Sequence, residues 1–270
     1  EPDGIVPFAL DASGAEEQAR AWLRAQAGAG NVPPDLADGA TLHDLSPVYL
    51  PFWLFDIGGE VRWSGFIRDD LGMGADLHNA DNMMNAGGAA LGIFTGSPEL
   101  AAHGVANMMQ SRAERHGLVR SEGAVPVAMS NVAVPATRSL APRLLEALQY
   151  SGGGAQPYRE EMLSSLPAEV YTVSMSDASL QARQAAIAQS EKDIELFTGS
   201  NTESDEFQLR KDRRGITVVS YNLLLLPAWT AGYAYRGQEY RLIVNGHTGV
   251  VEGYLPKREG TIKRLFGRGE

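Results

Sequence analysis

The fold is decided by residues 216–255, ITVVSYNLLLLPAWTAGYAYRGQEYRLIVNGHTGVVEGYL. Large apolar side chains share one parity along its first part: Val219, Tyr221, Leu223, Leu225, Trp229, Tyr233 and Tyr235. Such alternation is typical of a strand with one buried face. Breaks follow at 236–238 (RGQ) and 245–249 (NGHTG), where glycine and asparagine can adopt the positive φ of tight turns. We therefore predict three antiparallel strands, with Pro227 marking a bulge or an edge because it has no N–H to donate.

The composition is that of a globular chain and excludes several classes of protein. The 270 residues are 44% hydrophobic, which suits one or two domains with a sizeable core. A net charge of −10 argues against general nucleic-acid binding, which needs a basic face. With no cysteine, the chain has no disulfide and no thiolate metal site. No apolar run reaches the roughly 18 residues of a membrane span. We expect a cytoplasmic protein without a cofactor, and the start at Glu1 is typical of a processed or truncated chain.

An earlier part of the chain repeats the pattern of the meander. The segment 49–53 (YLPFW) matches 225–229 (LLPAW), and a predicted hairpin with a turn at Gly58-Gly59 follows the first copy. Upstream, PFALDASGAEEQARAWLRA matches YTVSMSDASLQARQAAIAQ, each a short strand followed by a helix. Ser13 and Glu16 predict the capping box of the first helix, and Leu180, Ile187 and Ile194 recur every seventh residue in the second. The alternative is that L-P-x-W recurs by chance.

These patterns predict an α+β fold made of two related units, each a helix packed on an antiparallel β-meander. The first unit spans 1–135 and contains an insertion at 70–124 that is rich in glycine, alanine and methionine. A helical connector at 136–167 leads to the second unit at 168–256, and a basic tail follows at 257–270. Within these parts we expect strands over 5–10 and 125–135, helices over 97–115, 139–150 and 158–166, and a polar loop over 198–214.

Several segments together resemble an uncharacterised bacterial family. The segments are VYLPFWLFD, VAVPATRSL, YREEMLSSLPAEVYTVSMSDA and LLLPAWTAGYAYRGQEYRLIVNGHTGVVEGYLP, which cover most of the chain outside 70–124. Members of this family are often described as zinc-ribbon-containing or as relatives of a primosomal helicase. The resemblance implies a cysteine-rich zinc ribbon before the part that matches Ile5, but this chain has no cysteine and no Walker A loop. The hairpin with V-N-G-x-T-G is also loosely similar to PepSY-type repeats.

Candidate site residues are few. The five histidines form no zinc-binding pair, and His78 with Asp76 and Asp81 favours a solvated loop over a metal site. Adjacent carboxylates such as Glu160-Glu161 point in different directions and favour solvation over acid–base chemistry. Most aromatic residues of the strands are expected in the core, and the alternative is a platform for a partner or ligand. The candidate partner- or ligand-binding residues are Trp53, Trp229, Asn245 and His247.

Three functions follow from these features. The first is a non-enzymatic binding or scaffold protein that has a protein partner or forms a homo-oligomer. The second is a membrane-peripheral protein whose basic tail contacts anionic lipids. The predicted membrane-contact residues are Lys257, Arg258, Lys263, Arg264 and Phe266. The third is an enzyme with a site between the two units, since pockets are common between domains.

Overall fold

The computed structural model describes residues 1–68, 118–150, 152–163, 166–198 and 209–258. Its helices are α1 (Ala12–Gly28), α2 (Leu36–Gly39), α3 (Pro142–Leu145) and α4 (Met175–Thr198), with 3₁₀ turns at Glu146–Leu148 and Glu160–Leu163. Its strands are β1 (Gly4–Ile5), β2 (Thr41–Arg68), β3 (Leu118–Pro135), β4 (Gln156–Pro157), β5 (Arg210–Asp212), β6 (Thr217–Tyr235), β7 (Gln238–Asn245) and β8 (Val251–Gly253). Helices thus accompany a mixed, largely antiparallel sheet, and the predicted α+β class is confirmed.

The predicted meander is present in the structure. Strands β6 and β7 pair antiparallel from Ala228 opposite Asn245 to Tyr235 opposite Gln238. The two-residue turn between them uses Arg236 at φ 50° and Gly237 at φ 75°. Strand β8 pairs antiparallel with β7, after a turn in which Gly249 has φ 77°. The two interruptions of the apolar alternation, at 236–238 and 245–249, are therefore turns, as predicted from their glycines.

Within the described residues, the sheet has the order β3–β2–β6–β1–β4. Strand β1 pairs parallel with β6, with Gly4 opposite Leu224 and Ile5 opposite Leu225. The pairing of β6 with β7 begins only at Ala228. Pro227 therefore lies between the part of β6 that pairs with β1 and the part that pairs with β7. At such a position, a residue without an N–H removes no hydrogen bond from the sheet.

The middle of β6 is buried on both faces, whereas its start is exposed. Every residue from Leu223 to Trp229 is buried, because core clusters lie on both sides of the sheet. One cluster packs α1 on Tyr233 and Leu242, and the other packs the α3 segment on Leu50 and Leu226. The prediction of one continuous buried face was wrong at the beginning of β6, as described below for Val219 and Tyr221.

The prediction of a hairpin turn at Gly58-Gly59 was wrong. Strand β2 continues through these residues to Arg68. Gly59 has φ 132°, and a Cβ atom there would lie 2.0 Å from the carbonyl oxygen of Gly215. The glycine therefore allows two backbones to approach each other, a use that sequence alone does not distinguish from a turn.

Alanines form the buried faces of both long helices. Helix α1 buries Ala15, Ala19 and Leu23. Helix α4 buries Ala178, Ala182, Ala186, Ser190 and Ile194, whereas Leu180 is 56% exposed, so the predicted heptad stripe was wrong there. The small side chains repeat every fourth residue and let each helix backbone approach its neighbours closely.

Four further predictions need correction. The cap of α1 is Asp11 rather than Ser13, because the Asp11 carboxylate accepts a hydrogen bond from the Gly14 N–H at 2.8 Å. The helix predicted over 139–150 is reduced to α3 and a 3₁₀ turn, and the strand predicted over 5–10 is reduced to β1. The end of the predicted loop over 198–214 contains β5. The helix predicted over 97–115 lies outside the described residues.

The segments before α1 and α4 make matching contacts. Leu225 O accepts from Val6 N at 2.9 Å, and Tyr49 O accepts from Glu169 N at 2.9 Å. Both contacts are parallel, since Ile5 pairs with Leu225 and Ala168 forms a parallel bridge with Tyr49. Each segment therefore lies on the long strand of the opposite L-P-x-W copy.

Backbone contacts divide the chain into two compact units. One consists of Glu1–Asp56, Met129–Ala182 and Val218–Glu270, and the other of Ile57–Ala128 and Arg183–Thr217. These units interleave along the chain, whereas the units predicted from the sequence are consecutive segments. In the second unit, β2 pairs antiparallel with β5, and Arg213 and Lys211 form ion pairs with Glu191 and Glu195.

Candidate functional site

Both candidate tryptophans are buried and bonded within the protein. Trp53 is 9% exposed, and its indole N–H donates to the Val173 carbonyl at 2.9 Å. Trp229 is 8% exposed and donates in the same way to the Leu10 carbonyl at 3.2 Å. Each acceptor immediately precedes the residue that caps a long helix, which is Asp11 for α1 and, for α4, Ser174, whose hydroxyl accepts from the Asp177 N–H at 3.1 Å. The two indoles thus attach a helix start to the sheet and leave no polar group for a ligand.

The other two candidates, Asn245 and His247, shape the turn between β7 and β8. The Asn245 side chain donates to the Ala147 carbonyl at 3.0 Å and accepts from the N–H groups of His247 and Thr248. The His247 Nδ1 atom lies 3.1 Å from the Pro7 carbonyl oxygen, so it carries the proton and donates. These bonds fix the turn and account for the polar atoms of Asn245 without a ligand.

His43, which no sequence motif singled out, bridges two carboxylates. His43 Nδ1 lies 2.9 Å from Asp44 Oδ2, and Nε2 lies 2.7 Å from Glu239 Oε2. Both nitrogens can donate only in the imidazolium, so the hydrogen bonds with Asp44 and then Glu239 raise the pKa of His43 above its ordinary value of 6.5. The described residues contain no group of three side chains suited to hold a metal ion. The triad of Asp76, His78 and Asp81 lies outside them.

Exposed apolar residues lie in the two segments that contact Trp53, the chain before α4 and the start of β6. We name this surface the tyrosine patch, and it consists of Val170, Tyr171, Val219 and Tyr221, which are 80%, 48%, 71% and 50% exposed. The rings of Tyr171 and Tyr221 meet the Trp53 ring edge to face, with centroids 5.7 and 6.1 Å apart. Sequence reasoning missed this surface, because Val219 and Tyr221 share the parity of buried residues farther along β6.

A pocket of about 530 Å³ opens beside the start of α4. Its lining includes the apolar residues Phe52, Ala133, Pro135 and Val173, together with polar side chains such as Gln149 and Gln181. The volume falls within the range of ligand sites, which is about 300–1,000 Å³. No sequence motif marked it, since its wall comes from four separated segments.

Little of the predicted membrane contact lies within the described residues. Lys257 and Arg258 are exposed, and the Arg258 guanidinium donates to the Gly30 carbonyl at 2.9 Å. Lys263, Arg264 and Phe266 lie outside the described residues. In the part of the chain that the structure describes, no helix combines the length and apolarity needed to cross a membrane.

Comparisons with protein-family models, with curated proteins and with solved structures find no match for this chain. The resemblance to the zinc-ribbon-associated family therefore stays a prediction, and the function must be argued from the surfaces and pockets of the molecule itself.

Proposed function

We propose that the protein is a non-enzymatic binding or scaffold protein that acts through protein–protein contacts, with the tyrosine patch as its contact surface. The observation that carries the proposal is the exposure of Tyr171 and Tyr221 around a buried tryptophan. Tyrosine and tryptophan are enriched in interface cores, and apolar patches on soluble proteins often mark contact sites. The membrane-peripheral and enzymatic alternatives stay predictions.

The occupant we propose for this surface is a second copy of the chain. Copies that each carry a net charge of −10 repel one another, so they meet best where the surface is uncharged. None of the four residues of the tyrosine patch carries a charge. A two-fold symmetric dimer uses the same patch on both subunits, which a compact cluster of tyrosines and valines allows.

Sedimentation velocity over a concentration series tests this proposal. We expect a reversible dimer that strengthens as salt screens the repulsion between the acidic copies. Changing Tyr171→Ser together with Tyr221→Ser should weaken the dimer at least tenfold. Tyr254→Ser is the matched control, because Tyr254 is 38% exposed outside the patch and should leave the dimer unchanged. A wild-type protein that stays monomeric up to about 200 µM contradicts the proposal.

We also propose that the two predicted units arose by duplication. The segments before α1 and α4, which we call the N-terminal arms, are exchanged, so that each arm pairs with the long strand of the other unit. The matching indole bonds of Trp53 and Trp229 support this. So do two more backbone contacts, since Ala136 N donates to Pro51 O at 2.9 Å and Gly246 N donates to Pro227 O at 2.8 Å. Chance recurrence of L-P-x-W gives no reason for such contacts to agree.

A further inference from the structure

The two arms differ in what lies beside the helix start. Next to α1, the turn between β7 and β8 occupies this place. A Cβ atom on Gly249 would lie 3.4 Å from side-chain atoms of Gln18 and Leu10. The turn is bonded to the edge of β7, since Asn245 N donates to Val250 O at 2.8 Å and β8 pairs with Ile243 through Glu252. The chain thus fills this niche with its own residues.

Next to α4, the corresponding place is the 530 Å³ pocket. Val173 corresponds to Leu10, because each carbonyl accepts an indole N–H just before a helix cap. Gln181 then corresponds to Gln18 along the helix. Ala136 corresponds to Gly246, because each donates its N–H to the proline carbonyl of one L-P-x-W copy. Ala133 and Ile243 lie three residues before them and therefore correspond as well. Val173, Gln181 and Ala133 all line the pocket. After Pro135 the chain turns away into the α3 segment instead of returning as a strand.

We infer that this pocket is a peptide-binding groove, which takes a short turn-and-strand segment of a partner protein in the place that the Gly249 turn and β8 fill beside α1. An extended peptide can add to the edge of a strand through its backbone, while side-chain pockets give selectivity. Pro135 has no N–H, so the strand edge offers the backbone groups of Ala133. The apolar part of the lining, which includes Phe52, suits a β-branched side chain such as valine.

The polar side chains of the lining define the rest of the ligand. Gln149 and Gln181 line the pocket and are exposed, and the described residues provide no hydrogen-bond partner for their amides. These amides can pair with peptide N–H and C=O groups. Arg138 also lines the pocket and favours one carboxylate side chain next to the apolar residue, whereas Glu146 of the same lining disfavours a second acidic group. The groove therefore fits an uncharged or acidic segment with glycine and valine, and it does not depend on self-association through the tyrosine patch.

The chain itself supplies the probe. A synthetic peptide with the sequence of residues 245–255, NGHTGVVEGYL, blocked at both ends, is titrated into the full chain and followed by isothermal calorimetry. We expect saturable binding with one peptide per chain. Gln181→Trp should fill the groove and weaken binding at least tenfold. Gln184→Trp is the matched control, because Gln184 is an exposed glutamine of the same helix that does not line the pocket. Absence of binding up to 2 mM peptide, or equal loss in both variants, overturns the inference.

A tethering experiment locates the peptide without relying on affinity. The chain has no cysteine, so a single introduced thiol is unique. Gln181→Cys and Gln184→Cys are each incubated with the peptide extended by a terminal cysteine in a thiol–disulfide buffer, and adducts are counted by intact-mass spectrometry. The inference expects at least fivefold more adduct on Gln181→Cys. Equal yields contradict it, and circular dichroism verifies that both variants are folded.

Discussion

Replacing Trp53 by phenylalanine tests whether the indole bond holds the start of α4 on the sheet. The change removes the N–H that donates to Val173 O at 2.9 Å, in a site that is 9% exposed. A buried carbonyl that loses its partner costs about 1–3 kcal/mol. The volume of the missing second ring adds about 1 kcal/mol or more as a cavity. We expect the free energy of unfolding to fall by about 2–4 kcal/mol.

Urea denaturation followed by far-UV circular dichroism measures this change, with linear extrapolation to water. Trp229→Phe should cost the same within about 1 kcal/mol, because the indole of Trp229 makes the matching bond to Leu10. Trp22→Phe is the control, since the described residues provide no acceptor for the half-buried Trp22 indole, and it should cost less than either. If Trp53→Phe costs no more than Trp22→Phe, the bond does not hold the arm. If the costs at Trp53 and Trp229 differ by more than about 2 kcal/mol, the reasoning from matched arms fails.

Three further outcomes are expected. Gly59→Ala should lower the free energy of unfolding by more than about 3 kcal/mol, because the φ of Gly59 is 132° and a Cβ atom there would meet a backbone oxygen. Gly28→Ala is the control, since its Cβ would meet nothing within 4 Å, and it should change the free energy of unfolding by no more than about 1 kcal/mol. Urea denaturation measures both. Asp11→Ala should cost about 1 kcal/mol through loss of the α1 cap, and an unchanged melting temperature contradicts that role. The pKa of His43 is raised in the folded state, so its contribution to stability is present at low pH and is lost as pH rises through that raised value. His43→Gln should therefore flatten the fall in the urea midpoint that begins as pH rises above about 6.5, and NMR titration of the imidazole gives the pKa directly.

The local part of the fold was predictable from the sequence. Glycine at positive φ and alternating apolar residues act over a few positions, so the β6–β7–β8 meander and its two turns followed from 216–255. At Gly59 the glycine led to a wrong prediction of a turn. The sequence does not distinguish a glycine in a turn from a glycine that lets a distant part of the backbone approach closely. Ser13 likewise looked like a cap, although Asp11 two residues earlier makes the bond.

The candidate site depended on pairings that the sequence does not encode locally. The parallel contact between Ile5 and Leu225 joins residues at opposite ends of the chain, and no periodicity predicts it. Without it, the core was the expected place for Trp53 and Trp229, but a platform for a partner or ligand stayed open as the alternative. The exposure of Tyr221 and the pocket beside α4 both depend on tertiary packing, because packing determines which segments of the chain cover each strand.

The parallel pairing of β1 has a consequence for synthesis of the protein. The first strand cannot join the sheet until Leu224 and Leu225 have left the ribosome. At 5–20 residues per second, this delay is about 10–45 s. During that time β1 lacks β6, although its other neighbour β4 is synthesised earlier, and the edge of β1 that later pairs with β6 is at risk of association with other nascent chains. The parallel contact between β1 and β6 should therefore form late in synthesis of this sheet, after the chain has passed Leu225.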